Sequence, residues 1–171
     1  QLANNWLRSD FSCTAREKHY QHIEPQIIFE HALLTNGNPP ADYKFNVFND
    51  SKASAPYIFI QYMQDRFGSI TQNLFLEDWT PAPFTRAGQQ QSSVPIEKPK
   101  ALDEMLLVAK KLSQHFGYLR VDFYLHNDKV FIGELTITPA AGNYTFDPPE
   151  YNSLLGEKFS WPEHKEARWY Y

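Results

Sequence analysis

The stretch YLRVDFYLHNDKVFIGELT, residues 118 to 136, has the pattern of two β-strands joined by a turn. Apolar residues alternate with other residues along both halves, and the residues between them are types that favour turns. Arg120, Asp122 and Glu134 interrupt the apolar alternation with charge. Because successive side chains of a strand point to opposite faces, the pairing of the two halves decides where these charges lie.

Two registers are compatible with the length of the turn. A two-residue loop at Asn127 and Asp128 would pair Asp122 with Gly133 and would mix polar and apolar side chains on both faces. A three-residue connection centred on Asp128 makes one face wholly apolar. We therefore predict the second register, with the pairs Leu125–Phe131, Phe123–Gly133 and Val121–Leu135.

The predicted register places Asp122 directly opposite Glu134. Their face also carries Arg120, Tyr124, Ile132 and Thr136. Like charges that face each other across two strands are destabilising unless something neutralises them. A divalent cation such as Mg²⁺ would do so, since it binds one or two carboxylates together with substrate phosphates. The alternative is a solvated outer face on which Arg120 pairs diagonally with Glu134.

Composition excludes several classes of protein. The chain has 171 residues, which is enough for one domain with a sizeable core. Its net charge is −4 and it has no block of consecutive Lys or Arg, which excludes nucleic acid and an anionic membrane as main partners. No apolar run approaches the roughly 18 residues of a membrane span. Cys13 is the single cysteine, which excludes an internal disulfide and suits the reducing cytoplasm, where we expect the protein.

The rest of the chain predicts an α+β fold with an antiparallel sheet and packed helices. Residues 1–25 are predicted to form an N-terminal arm or helix, and residues 86–97, rich in Gln and Ser, a flexible loop. The clearest helix lies within residues 98–117, where apolar residues recur at helical spacing. The predicted strands are QIIFE (26–30, buried), YKFNVF (43–48), YIFIQYM (57–63) and NLFLE (73–77).

Several ordered motifs together resemble the TupA-like family of ATP-grasp enzymes, which act in teichuronopeptide and polysaccharide biosynthesis. The motifs are IEPQIIFEHAL (23–33), PADYKFNVF (40–48), QDRFG (64–68) with EDW (77–79), EKPKALDEMLLVAKKL (97–112), and LRVDFYL (119–125) with FIGELTITPAAG (131–142). Five ordered motifs are far more specific than any one of them. The resemblance as a whole covers about residues 1 to 156, which is most of the chain.

The resemblance implies that residues 1–171 form a single, partial ATP-grasp domain, the C-terminal portion of that fold. The family also has an upstream lobe, whose Gly-rich loop and Lys cover the triphosphate, and no such sequence precedes Gln1. That lobe is expected to belong to the same, longer protein, and the alternative is a chain that has lost ATP binding. We expect the 171-residue chain alone to bind ATP poorly, because one wall of the nucleotide site is missing.

The resemblance also implies roles for charged residues of the opening stretch. Asp122 and Glu134 correspond to the acidic pair that holds Mg²⁺ on the nucleotide phosphates. Related ATP-grasp enzymes usually place an Asn two residues after the Glu, and this chain has Thr136 there. A hydroxyl is a weaker ligand than an amide oxygen, so Thr136 is expected to act on the metal through water. Arg120 is the expected catalytic cation that neutralises developing phosphate charge, with a simple salt bridge as the alternative.

The ATP-binding residues implied by the resemblance lie earlier in the chain. Glu30 opens the adenine hinge, and the backbone from His31 to Leu33 would meet the base. Asp42 would accept hydrogen bonds from the ribose. Lys44 lies one strand period further on the same face and would reach phosphate, although an exposed strand Lys is the commoner explanation.

Two functions follow from these expectations. The first is an ATP- and Mg²⁺-dependent ligase that joins a carboxylate of a sugar or amino acid to an amine through an acyl phosphate, in the biosynthesis of cell-surface polysaccharide. The second is a non-catalytic carbohydrate-binding or scaffolding domain that keeps only the ATP-grasp fold. The aromatic content of 16% suits a bulky core or a sugar-contacting surface. The sequence identifies neither the sugar, the amine nor the general base.

Overall fold

A computed structural model of the protein describes residues 2–9, 12, 17–35, 37–65 and 68–160. Its helices are α1 (Leu2–Trp6), α2 (Leu102–Ser113) and α3 (Glu150–Gly156), with 3-10 turns at Lys18–His22 and Pro139–Gly142. Its strands are β1 (Asp42–Phe48), β2 (Tyr57–Gln64), β3 (Thr71–Leu76), β4 (Thr85–Arg86), β5 (Tyr118–His126), β6 (Lys129–Thr136) and β7 (Phe146–Asp147). None of the described helices is both long and apolar enough to cross a membrane.

The main sheet has five strands in the order β3-β2-β1-β5-β6, and each neighbouring pair is antiparallel. The prediction of an α+β fold with an antiparallel sheet is therefore confirmed. β1 is the central strand and pairs with β2 on one side and β5 on the other. This order brings β1 beside the strand pair of residues 118–136, although about 70 residues of sequence separate them.

α2 covers one face of the sheet, as its amphipathic pattern predicts. Its apolar side contributes Leu102, Met105 and Ala109, which are fully or almost fully buried. Acidic residues lie in its first turn and lysines in its last, which complements the helix dipole. The core beneath α2 includes Phe45, Val47, Ile58, Ile60, Phe75, Trp79, Leu119, Val121 and Phe123.

The second face of the sheet is apolar at one end and polar at the other. Phe59 and Leu74 pack there against Phe84, Phe146 and Leu155, which lie around β4, β7 and α3. β4 and β7 form a separate two-stranded antiparallel sheet over this end. The polar remainder of the face holds the charged residues of β1 and β5. These residues are buried, unlike the side chains of a solvated surface.

The predicted buried strand at residues 26–30 is wrong. These residues have no regular secondary structure, and Ile28 and Phe29 have exposed fractions of 75% and 92%. The apolar run QIIFE suggested burial, but no described strand offers it hydrogen bonds. An apolar run forms a buried strand only where a neighbouring strand satisfies its backbone groups.

The hairpin combines features of both registers that the sequence allowed. His126 pairs with Lys129 across a two-residue turn, and Asn127 and Asp128 have φ angles of 51° and 58°. Positive φ at both central residues is the requirement of a type I′ turn. The predicted three-residue connection is therefore wrong, as are its pairs Leu125–Phe131 and Phe123–Gly133.

A β-bulge at Gly133 restores the predicted pairs closer to the site. The register shifts between Asp122 and Phe123, after which Asp122 pairs with Glu134 and Val121 with Leu135. These two predicted pairs are confirmed. Between the turn and the bulge the pairs are Tyr124–Phe131 and Phe123–Ile132, so these two β6 residues lie on the faces opposite to the predicted ones.

β6 is an edge strand, and its apolar residues are only partly covered. Val121 and Phe123 of β5 are buried as predicted, whereas Phe131 and Leu135 are 36% and 50% exposed. Their predicted packing in the core is wrong for two different reasons. The bulge leaves Phe131 on the face opposite α2, and Leu135 lies on the edge strand, beyond the strands β1 and β5 that α2 mainly contacts. An alternating pattern identifies a face, but only tertiary packing determines whether that face is covered.

Two predicted segments have no single regular element. Within residues 1–25 the structure shows α1, which buries no side chain, and the 3-10 turn at Lys18–His22. Residues 10–11 and 13–16, including Cys13, lie outside the described residues. Residues 86–97 begin in β4 and then continue without helix or strand.

Candidate active site

The candidate site is a group of charged residues at the polar end of the sheet. Lys44 of β1 lies opposite Asp122 of β5, and Asp122 lies opposite Glu134 of β6. Strand alternation adds Asp42 and Arg120 to the same face. The structure therefore brings together five of the residues for which sequence analysis expected a role in binding or catalysis.

Asp122 is the centre of this group, and its side chain is only 1% exposed. The ammonium of Lys44 donates a hydrogen bond to its Oδ2. Arg120 donates to both oxygens, with Nε at 2.7 Å from Oδ1 and Nη2 at 2.9 Å from Oδ2. Two cations thus neutralise the carboxylate that the sequence placed opposite Glu134. The repulsion between the two carboxylates is offset within the protein itself.

Glu134 differs from Asp122 in exposure, since 55% of its side chain is accessible. Its Oε2 accepts a hydrogen bond from Arg120 Nη2 at 3.3 Å, and its Oε1 accepts one from Thr136 Oγ1 at 2.8 Å. Arg120 therefore bridges the two carboxylates. Thr136 is 94% buried and orients Glu134, which matches an indirect role better than direct ligation.

Burial and charge act in opposite directions on Arg120. Burial disfavours its charge and lowers its pKa, but hydrogen bonds to Asp122 and the negative charge of that carboxylate raise the pKa above its ordinary value on balance. Glu134 contributes to the same upward shift. Arg120 is therefore a permanent cation beneath the exposed Glu134.

Lys44 is buried, contrary to the commoner expectation of an exposed strand lysine. It is 8% exposed, and its ammonium lies 3.8 Å from Asp42 Oδ1 as well as next to Asp122. Asp42 is itself 4% exposed. β1 thus contributes a carboxylate and an ammonium, two residues apart, to one face of the sheet.

The residues expected at the adenine hinge are not bonded to this group. Glu30 and His31 are exposed and Leu33 is half-buried, all in a segment without regular secondary structure. No hydrogen bond or ion pair joins them to the described residues of the charged group. Their role in binding a base stays a prediction.

Trp79 contributes to the core and not to a sugar-binding surface. Its ring stacks on Phe75 with centroids 4.3 Å apart, and its indole nitrogen donates to the carbonyl of Ile96 at 3.2 Å. It is 7% exposed. Trp79 is therefore a core residue.

The structure adds residues that sequence analysis missed. Tyr144 places its hydroxyl 3.4 Å from Arg120 Nη1, and the guanidinium of Arg86 lies over the Tyr144 ring at 3.6 Å from the centroid. Burial is the main cause that raises the pKa of Tyr20, and the nearby charges of Glu17 and Glu134 add to it. These residues come from distant parts of the chain, and no spacing in the sequence connects them to β1, β5 and β6.

The donor set fits Mg²⁺ when phosphate supplies further ligands. A carboxylate has about four lone-pair positions, and three contacts from Lys44 and Arg120 leave one on Asp122. Each oxygen of Glu134 has one hydrogen-bond donor, so both can still bind a cation. Within the described residues no group of three His, Cys, Asp or Glu side chains could hold a metal. The two carboxylates would therefore share the ion with phosphate oxygens and water.

A separate cavity opens on the other face of the sheet. It has a volume of about 420 Å³ and is lined in part by Tyr43, Tyr62, Ile96 and Lys98. Alternation along β1 directs Tyr43 away from Lys44. This cavity is therefore not part of the charged group.

Comparison with known proteins identifies one family. The sequence model described as TupA-like ATPgrasp matches residues 1–160 of the 171-residue chain. No curated protein and no solved structure gives a significant match. The matched range includes every residue of the charged group.

Proposed function

Because the chain belongs to the TupA-like ATP-grasp family, we propose that its charged group is the phosphate- and metal-binding wall of an ATP-dependent ligase. Family membership supports a ligase-type domain that uses a nucleotide and a carboxylate substrate. The observation that carries the finer proposal is the cluster of Lys44, Arg120, Asp122 and Glu134 on adjacent strands. Cationic side chains that contact phosphate and carboxylates that hold Mg²⁺ recur at sites of phosphoryl transfer.

The proposed reaction activates a carboxylate with ATP. A carboxylate oxygen attacks the γ-phosphorus, the bond to the β–γ bridging oxygen breaks, and ADP leaves. An amine nitrogen then attacks the acyl carbon, phosphate leaves, and the nitrogen loses a proton, which gives an amide. The acyl phosphate is needed because a free carboxylate is a poor electrophile.

The chain's own residues bind and orient the reacting groups. Glu134, oriented by Thr136, and Asp122 would hold Mg²⁺, which when bound neutralises phosphate charge and aligns the transferred group. Arg120 lies between these carboxylates and would stabilise charge that spreads over the phosphoryl oxygens. Lys44 would donate to a phosphate oxygen from the β1 side. Asp42 would accept from the ribose, and residues 30–33 would contact the base.

We extend the proposal to the substrate and the setting of the reaction. We place the reaction in the cytoplasm, where ATP is available, in the biosynthesis of cell-surface polysaccharide. The carboxylate would belong to a sugar acid or an amino acid. The expected upstream lobe would supply the second wall of the nucleotide site.

Thermal stability with and without Mg-ATP tests this proposal on the full-length protein. Ligands that bind only the folded state raise its melting temperature. We expect Mg-ATP to raise the melting temperature of the wild type, and Asp122→Asn and Glu134→Gln each to remove most of that shift. Asp103→Asn is a matched control, because Asp103 is an exposed carboxylate on α2.

Two outcomes would contradict the ligase proposal. One is the absence of any shift with Mg-ATP. The other is a full shift in both site variants. A shift with an oligosaccharide but not with Mg-ATP would favour the carbohydrate-binding alternative.

A further inference from the structure

Two guanidiniums contact the same tyrosine beside the candidate site. Arg120 Nη1 lies 3.4 Å from the hydroxyl of Tyr144. Arg86 lies over the ring of Tyr144, with its central carbon 3.6 Å from the centroid. One phenol thus connects a cation of the proposed phosphate wall with a second cation outside it.

The two guanidiniums differ in how their charge is neutralised. Arg120 pairs with Asp122 and Glu134. Among the described residues no carboxylate lies within ion-pair distance of Arg86, and its contact is with the face of an aromatic ring. Stacking on that face leaves the N–H groups at the edge of a guanidinium free to bind a planar anion. Two neighbouring cations of which only one is neutralised favour a negatively charged ligand.

The backbone holds Arg86 beside the segment that carries Tyr144, two residues before β7. β4 pairs with β7, with Arg86 opposite Phe146, and the amide of Ala87 donates to the carbonyl of Thr145 at 3.0 Å. Phe146 packs against Phe59 of the main sheet, which attaches the small sheet to the core. The position of Arg86 relative to Arg120 is therefore set by packing and not by a free loop.

The segment that leads to Tyr144 is conformationally strained. Ala140 and Ala141 have φ angles of 50° and 53°, in the left-handed region that non-glycine residues rarely adopt. Strain of this kind persists where the surrounding structure enforces it, often at ligand sites. It is consistent with a tyrosine that must reach a particular position next to Arg120.

The positions of the cations suggest two neighbouring anion subsites, one at Lys44 and Arg120 and the other at Arg86. Lys44 and Arg120 both contact Asp122, and these two cations would face the phosphates. Arg86 lies over the ring of Tyr144, whereas Arg120 contacts the hydroxyl. A reaction that transfers a phosphoryl group to a carboxylate must bring two anions together, and each anion needs its own cation.

We propose that Arg86, stacked on Tyr144, binds the carboxylate group of the acceptor substrate next to the phosphate wall. This proposal rests on the proposed ligase function and extends it to the second substrate. Tyr144 positions both guanidiniums, one through its ring and the other through its hydroxyl. The ligand chemistry is that of an oxyanion, and the experiment separates a substrate carboxylate from a nucleotide phosphate.

The experiment follows the arginine Nε–H signals by NMR in the full-length protein. The probes are sodium D-glucuronate, sodium L-glutamate and Mg-ATP, with sodium chloride at matched ionic strength and neutral D-glucose as controls. Arg86→Lys assigns the Arg86 signal, and the exposed Arg8 of the N-terminal segment serves as a reference within the same spectrum. We expect a saturable shift of the Arg86 signal with at least one of the two carboxylates, and no shift beyond that of Arg8 in the controls.

Variants then measure the contribution of Arg86 to affinity. Replacement of a bidentate guanidinium should weaken carboxylate binding about tenfold in Arg86→Gln and less in Arg86→Lys, which keeps the charge. Tyr144→Phe should keep most of the affinity, because the ring that supports Arg86 is retained. Melting temperatures without ligand show whether each variant is folded. If Arg86→Gln does not fold, Arg86→Lys still tests the contribution of Arg86 to affinity.

Three outcomes would overturn the proposal. The first is an Arg86 signal that moves no more than that of Arg8 with both carboxylates. The second is an Arg86 signal that responds to Mg-ATP alone, which would assign Arg86 to phosphate. The third is unchanged carboxylate affinity in Arg86→Gln. Each is distinguishable from failure of the ligase proposal, because the Mg-ATP melting shift depends on Asp122 and Glu134 and is measured separately.

Discussion

Asp122 illustrates how one residue combines a structural and a proposed functional role. Its carboxylate is almost inaccessible and accepts hydrogen bonds from Lys44 and Arg120. Burying a charge is unfavourable unless it is paired. Here the buried charges of Asp122, Lys44 and Arg120 are paired with one another. The like-charged pair with Glu134 is tolerated because Arg120 contacts both carboxylates.

We expect Asp122→Asn to destabilise the metal-free protein. The change leaves Lys44 and Arg120 without their buried counter-charge and should cost roughly 1–3 kcal/mol. Glu134→Gln is the matched comparison, because Glu134 is 55% exposed and its salt bridge should contribute less than about 1 kcal/mol. Urea unfolding of both variants without Mg²⁺ measures the difference. A gain of stability in Asp122→Asn would mean that repulsion with Glu134 outweighs the two ion pairs.

At the scale of elements, the bulge of the β5–β6 hairpin determines the geometry of the site. The type I′ turn at Asn127 and Asp128 alone would place Asp122 opposite Gly133. The extra residue of the bulge shifts the register by one and brings Glu134 opposite Asp122. A change of one residue in register reverses the face of every side chain that follows.

We expect Gly133→Ala to disturb the hairpin at the bulge. A Cβ atom at residue 133 would overlap the ring of Tyr124, so the ring or the strand must move. Overpacking of this kind should cost roughly 1–3 kcal/mol. In a Tyr124→Ala background the ring is absent and the same change should cost less, which a double-mutant cycle of unfolding free energies measures. Equal costs in both backgrounds would show that the ring is not what excludes a side chain.

At the scale of the whole molecule, two cores on opposite faces hold the sheet and bury several phenols. Burial raises the pKa of Tyr43 to about 12, with a further contribution from Tyr62. Burial also raises the pKa of Tyr118, and this effect is larger than the opposing effect of the Arg120 charge. The hydroxyl of Tyr118 donates to Asn46 Oδ1 at 2.8 Å, which holds the phenol in its neutral form.

We expect stability to fall as pH rises above about 10. The unfolded tyrosines lose their protons near their ordinary pKa of 10.0, whereas folded Tyr43 keeps its proton to about 12. The unfolded state therefore binds fewer protons in this range, and the free energy of unfolding decreases as pH rises. Urea unfolding at pH 9, 10 and 11 should show a shallower fall in Tyr43→Phe than in the wild type. Equal slopes would mean that Tyr43 titrates alike in both states.

The sequence by itself determined the elements that local patterns control. Strand alternation identified β1, β2 and β5, helical spacing identified α2, and the cost of a mixed face identified the pairing of Asp122 with Glu134. The ordered motifs were sufficient to indicate the family, whose sequence model matches residues 1–160. These features depend on neighbours in sequence or on one adjacent strand. The order of residues along the chain is therefore enough to predict them.

Tertiary structure alone decided which charges are neutralised and which apolar residues are covered. Lys44 reaches Asp122 because β1 lies beside β5, and no sequence spacing predicts that pairing across 78 residues. The same holds for Tyr144 and Arg86, which the β4–β7 sheet carries to Arg120. The apolar patterns of residues 26–30 and of β6 suggested burial, yet Ile28 and Phe29 in the first segment and Phe131, Ile132 and Leu135 in the second are exposed. A side chain's own chemistry sets what it can contact, but the charge and burial that it experiences come from residues far away in the chain.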